Sequence, residues 1–245
     1  PASAIHIDPT NTNDPAEDGS LAHPYDALSD ITWTSNTVYA IRRGTTITSA
    51  ALSIDGDNIT LASYGSGSRP VLHCTSVASG SNKHAIRVNS ATNLTIRDLE
   101  IYAPQATSCV RLGGSASKQI AIIGCKLRGA GWGLRAFALT GLTVDNTEVC
   151  QIKDDGMFIQ GVTGIEIRSC HVHDVNQNWK PPYTPQSKAG GDAIQLDKCN
   201  KWHVHHNLLD RTNSGNKFCF ISNNPNQDDG LLEHNRMRGP LTDGD

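Results

Sequence analysis

One short pattern of apolar residues recurs seven times from Asn58 onward, and it constrains the fold more than any other feature of the chain. Each copy has a turn residue, two apolar residues in alternation, and a third apolar residue five positions later. Between Ile96 and Val204 the copies are spaced by 26, 22, 23 and 37 residues. Periods of this length are typical of solenoids, in which one repeat cannot bury a core alone. The alternating residues are Ile59/Leu61, Leu94/Ile96, Ile120/Ile122, Leu142/Val144, Ile165/Ile167, Trp202/Val204 and Leu232.

The alternation has a period of two, which predicts short strands and not helical turns. A second set of alternating pairs precedes the copies: Ile86/Val88, Val110/Leu112, Leu134/Ala136, Met157/Ile159, Ile194/Leu196 and Phe218/Phe220. Three short strands per turn, stacked turn on turn, describe an all-β, right-handed parallel β-helix. Three positions after the second apolar residue, mostly small or amide side chains recur: Leu99, Cys125, Thr147, Cys170, Asn207 and Asn235. We expect these side chains to form an interior ladder at one corner.

Composition and length favour a single domain spanning residues 1–245, with rungs over 37–240. The net charge of −3 gives no sign of a nucleic-acid or membrane surface, and no apolar run approaches ~18 residues. In the N-terminal segment 1–36, Leu21, Tyr25, Leu28 and Ile31 lie at helical spacing, which predicts a short capping helix. The sequence begins at Pro1 without Met or a signal peptide, as expected for a mature or trimmed chain.

In the second set of pairs, the residue between the two inward positions should face solvent. Read along successive rungs, these residues are Arg87, Arg111, Arg135, Phe158, Gln195 and Cys219. Three guanidinium groups about 4.8 Å apart would repel one another, which a purely structural surface avoids. The alternatives are a solvated arginine face or a cleft for an extended polyanion, where the small residues Gly133, Gly156 and Ala193 leave room.

A long insertion over 174–191 interrupts the repeat and should overhang the arginine-bearing strands. It carries Tyr183 and Lys188, and His173 directly precedes it. Further basic residues follow in the next turns, at Arg211, Lys217, Arg236 and Arg238. We therefore expect one end of the groove to collect a tyrosine, a histidine and several cations.

Two stretches resemble the β-helix polysaccharide lyases, which include pectate lyases and several alginate lyases. The first runs from Asp8-Pro9-Thr10 through Asp18-Gly19-Ser20 to His23-Pro24-Tyr25. The second runs from Gly191-Asp192-Ala193-Ile194-Gln195-Leu196 to His205-His206-Asn207. The chain is most similar to small single-domain bacterial alginate lyases, and the resemblance covers nearly its whole length at the level of the fold.

The resemblance implies β-elimination at a uronate residue, which requires neutralising the sugar carboxylate, removing the C5 proton and protonating the departing O4. On this chain, the resemblance makes Lys217 the leading base, and Arg236 or Arg238 the residue that holds the carboxylate. Tyr183 would be the acid or a shared acid and base, and His173 is a second candidate base. Substrate binding would involve the arginines of the second set of pairs, Arg87, Arg111 and Arg135, together with Gln195, Lys188 and Arg211.

An acidic group at Asp154, Asp155 and Asp192 departs from this pattern. It is open to three interpretations: a Ca²⁺ site, as in pectate lyases; the carboxylate pair of a polygalacturonase-type glycosidase; or turn-stabilising aspartates. The resemblance needs no cofactor, although Ca²⁺ is compatible with it.

We therefore predict a secreted, monomeric polysaccharide lyase acting on an acidic polysaccharide, most favourably alginate. The alternatives are a β-helix glycoside hydrolase and a non-catalytic, tailspike-like glycan-binding module.

Overall fold

A computed structural model describes residues 4–76, 83–175, 191–210, 221–224 and 229–239. These residues form 25 β-strands, β1 to β25 in chain order, arranged in three parallel sheets. The chain passes through sheet 3, sheet 1 and sheet 2 in each turn, so that equivalent strands of successive turns become neighbours. The predicted parallel β-helix is thereby confirmed.

Sheet 1 contains β1 (Ala4–Ile7), β2 (Val38–Arg42), β5 (Gly56–Asp57), β6 (Thr60–Tyr64), β9 (Ala91–Arg97), β12 (Lys118–Ile123), β15 (Thr140–Asp145), β18 (Thr163–Arg168), β21 (Asn200–His205) and β24 (Gly230–Glu233). Sheet 2 contains β3 (Thr46–Ala50), β7 (Val71–Ser76), β10 (Glu100–Tyr102), β13 (Lys126–Arg128), β16 (Glu148–Cys150), β19 (His171–Val172), β22 (Leu208–Asp210) and β25 (Arg236–Arg238). Sheet 3 contains β4 (Leu52–Ser53), β8 (His84–Val88), β11 (Ser108–Leu112), β14 (Trp132–Phe137), β17 (Met157–Gln160), β20 (Ile194–Asp197) and β23 (Ile221–Asn224).

The apolar alternation sets the register of the stacked strands. Ile120 pairs with Leu142 and Ile122 with Val144, and all four side chains are buried in the core between the sheets. A slip of one residue would turn every one of these side chains outward, so the pattern specifies the pairing strongly. The six cysteines in the part of the chain that the structure describes are all buried, consistent with their packing as small core residues.

The corner between sheet 1 and sheet 2 carries the predicted interior ladder. Asn207 is 2% exposed, and its Oδ1 accepts a hydrogen bond from the backbone N–H of Cys170 at 2.9 Å. Its Nδ2 donates to the carbonyl of Ile167 at 3.0 Å and to Oδ1 of Asn235 at 2.9 Å. The residue before each ladder position has a positive φ, for example Gly124 at 62° and His206 at 55°. This tight corner turns the chain between sheets while the amides satisfy buried backbone groups.

The predicted N-terminal capping helix is wrong. The described residues contain no α-helix, and the only helical turn among them is a 3-10 turn at Leu28–Asp30. Pro24 removes a backbone donor and restricts His23 to extended conformations, which opposes a helix. Instead, the N–H of Tyr25 donates to the carbonyl of His6, and the segment lies along β1. The structure, over the ranges given above, has no helix long and apolar enough to cross a membrane.

Candidate functional site

The outer face of sheet 3 carries a column of arginines across three neighbouring strands. Arg87 of β8 pairs with Arg111 of β11, which pairs with Arg135 of β14. The column continues with Phe158 of β17 and Gln195 of β20. All five side chains are partly buried, and the predicted register is confirmed as far as Gln195. The backbone partner of Gln195 on the next strand is Ser222, because that strand runs over Ile221–Asn224. The prediction that Cys219 continues the column is therefore wrong.

Arg135 lies among aromatic rings. Its guanidinium carbon is 4.5 Å from the ring centroid of Trp132, 4.8 Å from that of Phe137 and 5.7 Å from that of Phe158. Burial is the main cause that lowers the pKa of Arg135, with the charge of Arg111 adding to it. Its buried Nε–H has no hydrogen-bond partner within the described part of the chain. The faces of these rings therefore stabilise the guanidinium of Arg135, whereas the charge of Arg111 repels it.

The other two arginines share one amide. Nε of Arg87 donates to Oδ1 of Asn89 at 2.7 Å, and Nη1 of Arg111 donates to the same oxygen at 3.3 Å. Burial lowers the pKa of Arg111, and the charge of Arg87 lowers it further. Since Asn89 is neutral, this shared contact positions both side chains without neutralising either charge.

The small residues that we expected to form the floor of the cleft face the core instead. A Cβ built on Gly156 would lie 2.7 Å from Cγ1 of the buried Val172 and 2.6 Å from the carbonyl oxygen of Ala193. Gly133 would meet Val149 in the same way, and Ala193 itself is fully buried. Each of these small residues is buried together with the residue after it, for example Gly156 with Met157, so two successive residues face inward. The small side chains allow close packing of the turns and leave no space for a ligand.

The aspartates lie where the chain enters sheet 3. Asp155 is 4% exposed; its Oδ2 accepts a hydrogen bond from Nε1 of Trp132 at 3.1 Å, and its Oδ1 accepts one from the backbone N–H of Asp192 at 2.8 Å. Burial raises the pKa of Asp155 to about 7, although both donors favour the carboxylate. Burial also raises the pKa of Asp154, which the charge of Arg135 opposes.

The predicted Ca²⁺ ligands do not converge on one point. Three side chains that share one ion should place their ligand atoms within 4.8 Å of one another. Among the described residues, Asp154, Asp155 and Asp192 do not form such a group. Both oxygens of Asp155 already accept N–H donors from adjacent turns. These contacts favour the interpretation of Asp155 as a residue that stabilises the turn, which was one of the three alternatives.

Lys153 is a site residue that the sequence pattern did not reveal. It lies in the turn before β17, next to Asp154, and its Nζ donates to the carbonyl of Pro104 at 3.1 Å. Burial lowers the pKa of Lys153 to about 8. Sequence reasoning missed it because its burial depends on the neighbouring turns, which no local motif reports.

His173 follows β19 in sheet 2 and is held by two carboxylates. Its Nδ1 is 2.9 Å from Oδ2 of Asp174, and its Nε2 is 3.2 Å from Oε1 of Glu148. Glu148 also accepts a hydrogen bond from Nζ of Lys126 at 2.8 Å. His173 therefore belongs to a polar network on sheet 2, whereas the arginine column lies on sheet 3.

Arg236 and Arg238 lie on β25, at the end of sheet 2. Nε of Arg238 donates to Oδ1 of Asp210 at 2.6 Å, and this hydrogen bond is the main cause that raises the pKa of Arg238. Asp210 also contacts His171, whose Nε2 is 2.8 Å from its Oδ2. Arg236 is exposed and pairs through its backbone with Leu208. Of these two arginines, Arg238 has its charge matched by a carboxylate, which makes it the weaker candidate for holding a substrate anion.

Four predicted site residues, Tyr183, Lys188, Arg211 and Lys217, lie outside the described residues. Their roles, and the convergence of cations at one end of the groove, stay predictions.

Solved structures with the same fold act on different carbohydrates. The lacto-N-biosidase of Eubacterium ramulus superimposes with a TM-score of 0.67 at 13% identity, covering 96% of this chain and 56% of that protein. The pectate lyase Pel9A gives 0.54 at 11% identity, covering 96% and 80%. A rhamnogalacturonan lyase gives 0.52 at 12% identity, covering 85% and 70%. At these identities the likeness is one of fold.

The chain spans little more than half the length of the lacto-N-biosidase. No curated protein matches the sequence. A family model described as a right-handed β-helix region matches residues 63–235, well over half of the 245-residue chain. The stacked turns over these residues, with their three parallel sheets and corner ladder, place this chain in the right-handed β-helix family.

Proposed function

We propose that the chain is a lyase that cleaves an acidic, uronate-containing polysaccharide, most favourably alginate, by β-elimination. The observation that carries the proposal is the in-register column of Arg87, Arg111 and Arg135 on the outer face of sheet 3. A linear polyanion lying across the strands would meet one guanidinium about every 4.8 Å. Such a column costs energy in the free protein, because the like charges repel, and a bound polyanion would relieve that cost.

Partial burial strengthens this argument. Because burial lowers the pKa of both Arg111 and Arg135, their charges are poorly solvated by water. A poorly solvated cation attracts an anion more strongly than an exposed one, since less water screens the pair. Guanidinium groups also suit bidentate contact with carboxylates, which a uronate presents on every sugar.

Lys153 gives the proposed reaction a candidate for proton transfer. A lysine with a pKa of about 8 is partly neutral near neutral pH and then accepts a proton. Tyr183 and Lys217 remain the acid and base predicted from the sequence resemblance, and His173 the second candidate base. The two aspartates whose charges act on Arg135, Asp154 and Asp155, follow Lys153 directly in the chain.

A glycoside hydrolase is the second candidate function, and the buried aspartates favour it. A carboxyl group with a pKa near 7, such as Asp155, can protonate a leaving group at neutral pH. The lacto-N-biosidase shares the fold, which accommodates such an activity. Against this candidate, both oxygens of Asp155 are engaged by N–H donors of the protein.

The remaining parts of the proposal concern location, oligomeric state, cofactor and partner. We propose a secreted, monomeric protein that requires no cofactor, with an acidic polysaccharide as its partner.

Incubation of the protein with alginate, pectate and hyaluronan in separate reactions tests the proposal. A lyase generates a C4=C5 double bond, so ultraviolet absorbance and new reducing ends should rise together with one of these polymers. New reducing ends without a rise in ultraviolet absorbance would show hydrolysis and refute the lyase function. Binding without either product would indicate a glycan-binding module.

A further inference from the structure

A mixed group of metal-binding side chains lies on sheet 2, apart from the arginine column. Glu148 and Cys150 belong to β16, and His173 follows β19 in the next turn. A carboxylate oxygen, the thiol sulfur and an imidazole nitrogen from these residues all lie within 4.8 Å of one another. Adjacent strands therefore bring three different ligand types to one point.

The separation of the ligand atoms fits a tetrahedral metal centre. Nε2 of His173 is 3.2 Å from Oε1 of Glu148. Two ligands at the usual zinc–nitrogen and zinc–oxygen distances, at a tetrahedral angle, lie about 3.3 Å apart. The protein thus already holds these two atoms at the spacing that a bound ion requires.

A neighbouring carboxylate orients the imidazole. Nδ1 of His173 is 2.9 Å from Oδ2 of Asp174 and Nε2 is 3.2 Å from Oε1 of Glu148. In the tautomer protonated at Nδ1, that N–H donates to Asp174 and the Nε2 lone pair is directed at Glu148. A neutral imidazole has one N–H and can satisfy only one of the two carboxylates. A cation between Nε2 and Glu148 resolves this conflict. The arrangement of carboxylate, histidine and metal is the one by which proteins fix metal-binding histidines.

We propose that Glu148, Cys150 and His173 bind a divalent transition-metal ion of the Zn²⁺ class, with Asp174 as the residue that orients the imidazole. Thiolate and imidazole ligands favour Zn²⁺ and related ions and disfavour Ca²⁺ and Mg²⁺, which prefer oxygen. Three protein ligands leave a fourth position for water.

Metal binding would change the charge of Cys150 and the ion pair of Glu148. A thiol binds a metal ion only as the thiolate, so the buried Cys150 must lose its proton when the ion binds. The metal displaces this proton: the S–H bond breaks, a sulfur–metal bond forms, and one H⁺ is released to solvent. The ion also replaces Lys126, whose Nζ is 2.8 Å from Oε1 of Glu148 and whose side chain is 28% exposed, so it can move into water.

Cobalt titration of the full chain tests the site, because Co²⁺ occupies zinc sites and absorbs visible light. The purified protein, stripped with a chelator and kept reduced, is titrated with Co²⁺ and then with Zn²⁺. We expect one equivalent of Co²⁺ to give intense tetrahedral bands and a thiolate-to-cobalt charge-transfer band, which Zn²⁺ abolishes. Only the weak spectrum of aqueous Co²⁺ would overturn the proposal.

Four variants locate the bound ion. Cys150→Ser should remove the charge-transfer band, whereas Cys125→Ser should retain it, since Thr147 shows that the ladder position of Cys125 accepts a hydroxyl. Asp174→Asn should weaken Co²⁺ binding by about 10- to 100-fold. His203→Ala removes an imidazole from sheet 1, where it contacts Glu233, and should bind as wild type does.

Circular dichroism establishes whether Cys150→Ser is folded, and His173→Gln provides a second ligand variant. Three results would each refute the site. They are a charge-transfer band that persists in folded Cys150→Ser, unchanged binding by folded His173→Gln, and equal losses of binding in His203→Ala and Asp174→Asn.

Discussion

The arginine column predicts a large loss of polymer binding when two of its charges are removed. The informative variant is the double substitution Arg111→Met and Arg135→Met, because methionine retains an unbranched stem against Phe137 and Trp132. Each charge-assisted contact to an anion contributes about 1.5–3 kcal/mol. Because the two residues are register partners, their effects should not add fully. We therefore expect affinity to fall about 100-fold.

The matched control removes two arginines from a different face. Arg97→Met with Arg168→Met makes the same change in net charge on sheet 1, where the two side chains are 53% and 42% exposed and pair with Asp98 and Asp145. Affinity for alginate is measured by titration calorimetry at several salt concentrations, at a temperature where ultraviolet absorbance shows no cleavage during the titration. The column variant should bind weakly and with a shallower salt dependence, while the control binds normally. Equal losses in both variants, or unchanged affinity in the column variant, would refute a binding role for the column.

Other substitutions test the ladder, the aspartates and the reaction. Asn207→Ala leaves two buried backbone groups without partners and should cost about 2–5 kcal/mol in urea unfolding, more than Asn235→Ala, whose side chain is partly exposed. Since the folded-state pKa of Asp155 is raised to about 7, its contribution to stability is complete below about pH 4 and is lost as the pH rises towards 7. Asp155→Asn should flatten that decline; an identical pH profile of urea unfolding would contradict the pKa. Lys217→Ala and Tyr183→Phe should each lower kcat by about 100-fold with little change in Tm; near wild-type kcat in both would exclude this pair. Activity should survive EDTA, because cations of the protein supply the positive charge; loss that Ca²⁺ reverses would assign that role to the metal.

The sequence was sufficient to predict the repeating architecture because the apolar alternation acts at every turn. Ile120, Leu142 and Ile165 occupy one buried column, so a single pattern specifies strand type, register and neighbour at once. The same register carries Arg87, Arg111 and Arg135 to one face. A feature that follows from strict alternation was therefore predictable without coordinates.

Features that depart from alternation or depend on neighbouring turns were not predictable. Gly156 and Met157 both face inward, which breaks the period of two locally. The helical spacing of Leu21 and Tyr25 was misleading, because hydrogen bonds to β1 determine the conformation of that segment. The low pKa of Lys153 arises from burial between turns, which the order of residues does not encode.

The candidate site and the stability of the solenoid share residues, and this coupling affects every test of function. Asp155 links three successive turns through Trp132 and the backbone of Asp192. The indole of Trp132 also stacks on the guanidinium of Arg135, so the position of a charge in the column depends on a buried carboxylate. A substitution at Asp155 should therefore change both unfolding and polymer affinity, even where Asp155 never touches the substrate. An aspartate would be identified as a catalytic group only by a variant that lowers turnover while the free energy of unfolding and the affinity for the polymer stay unchanged.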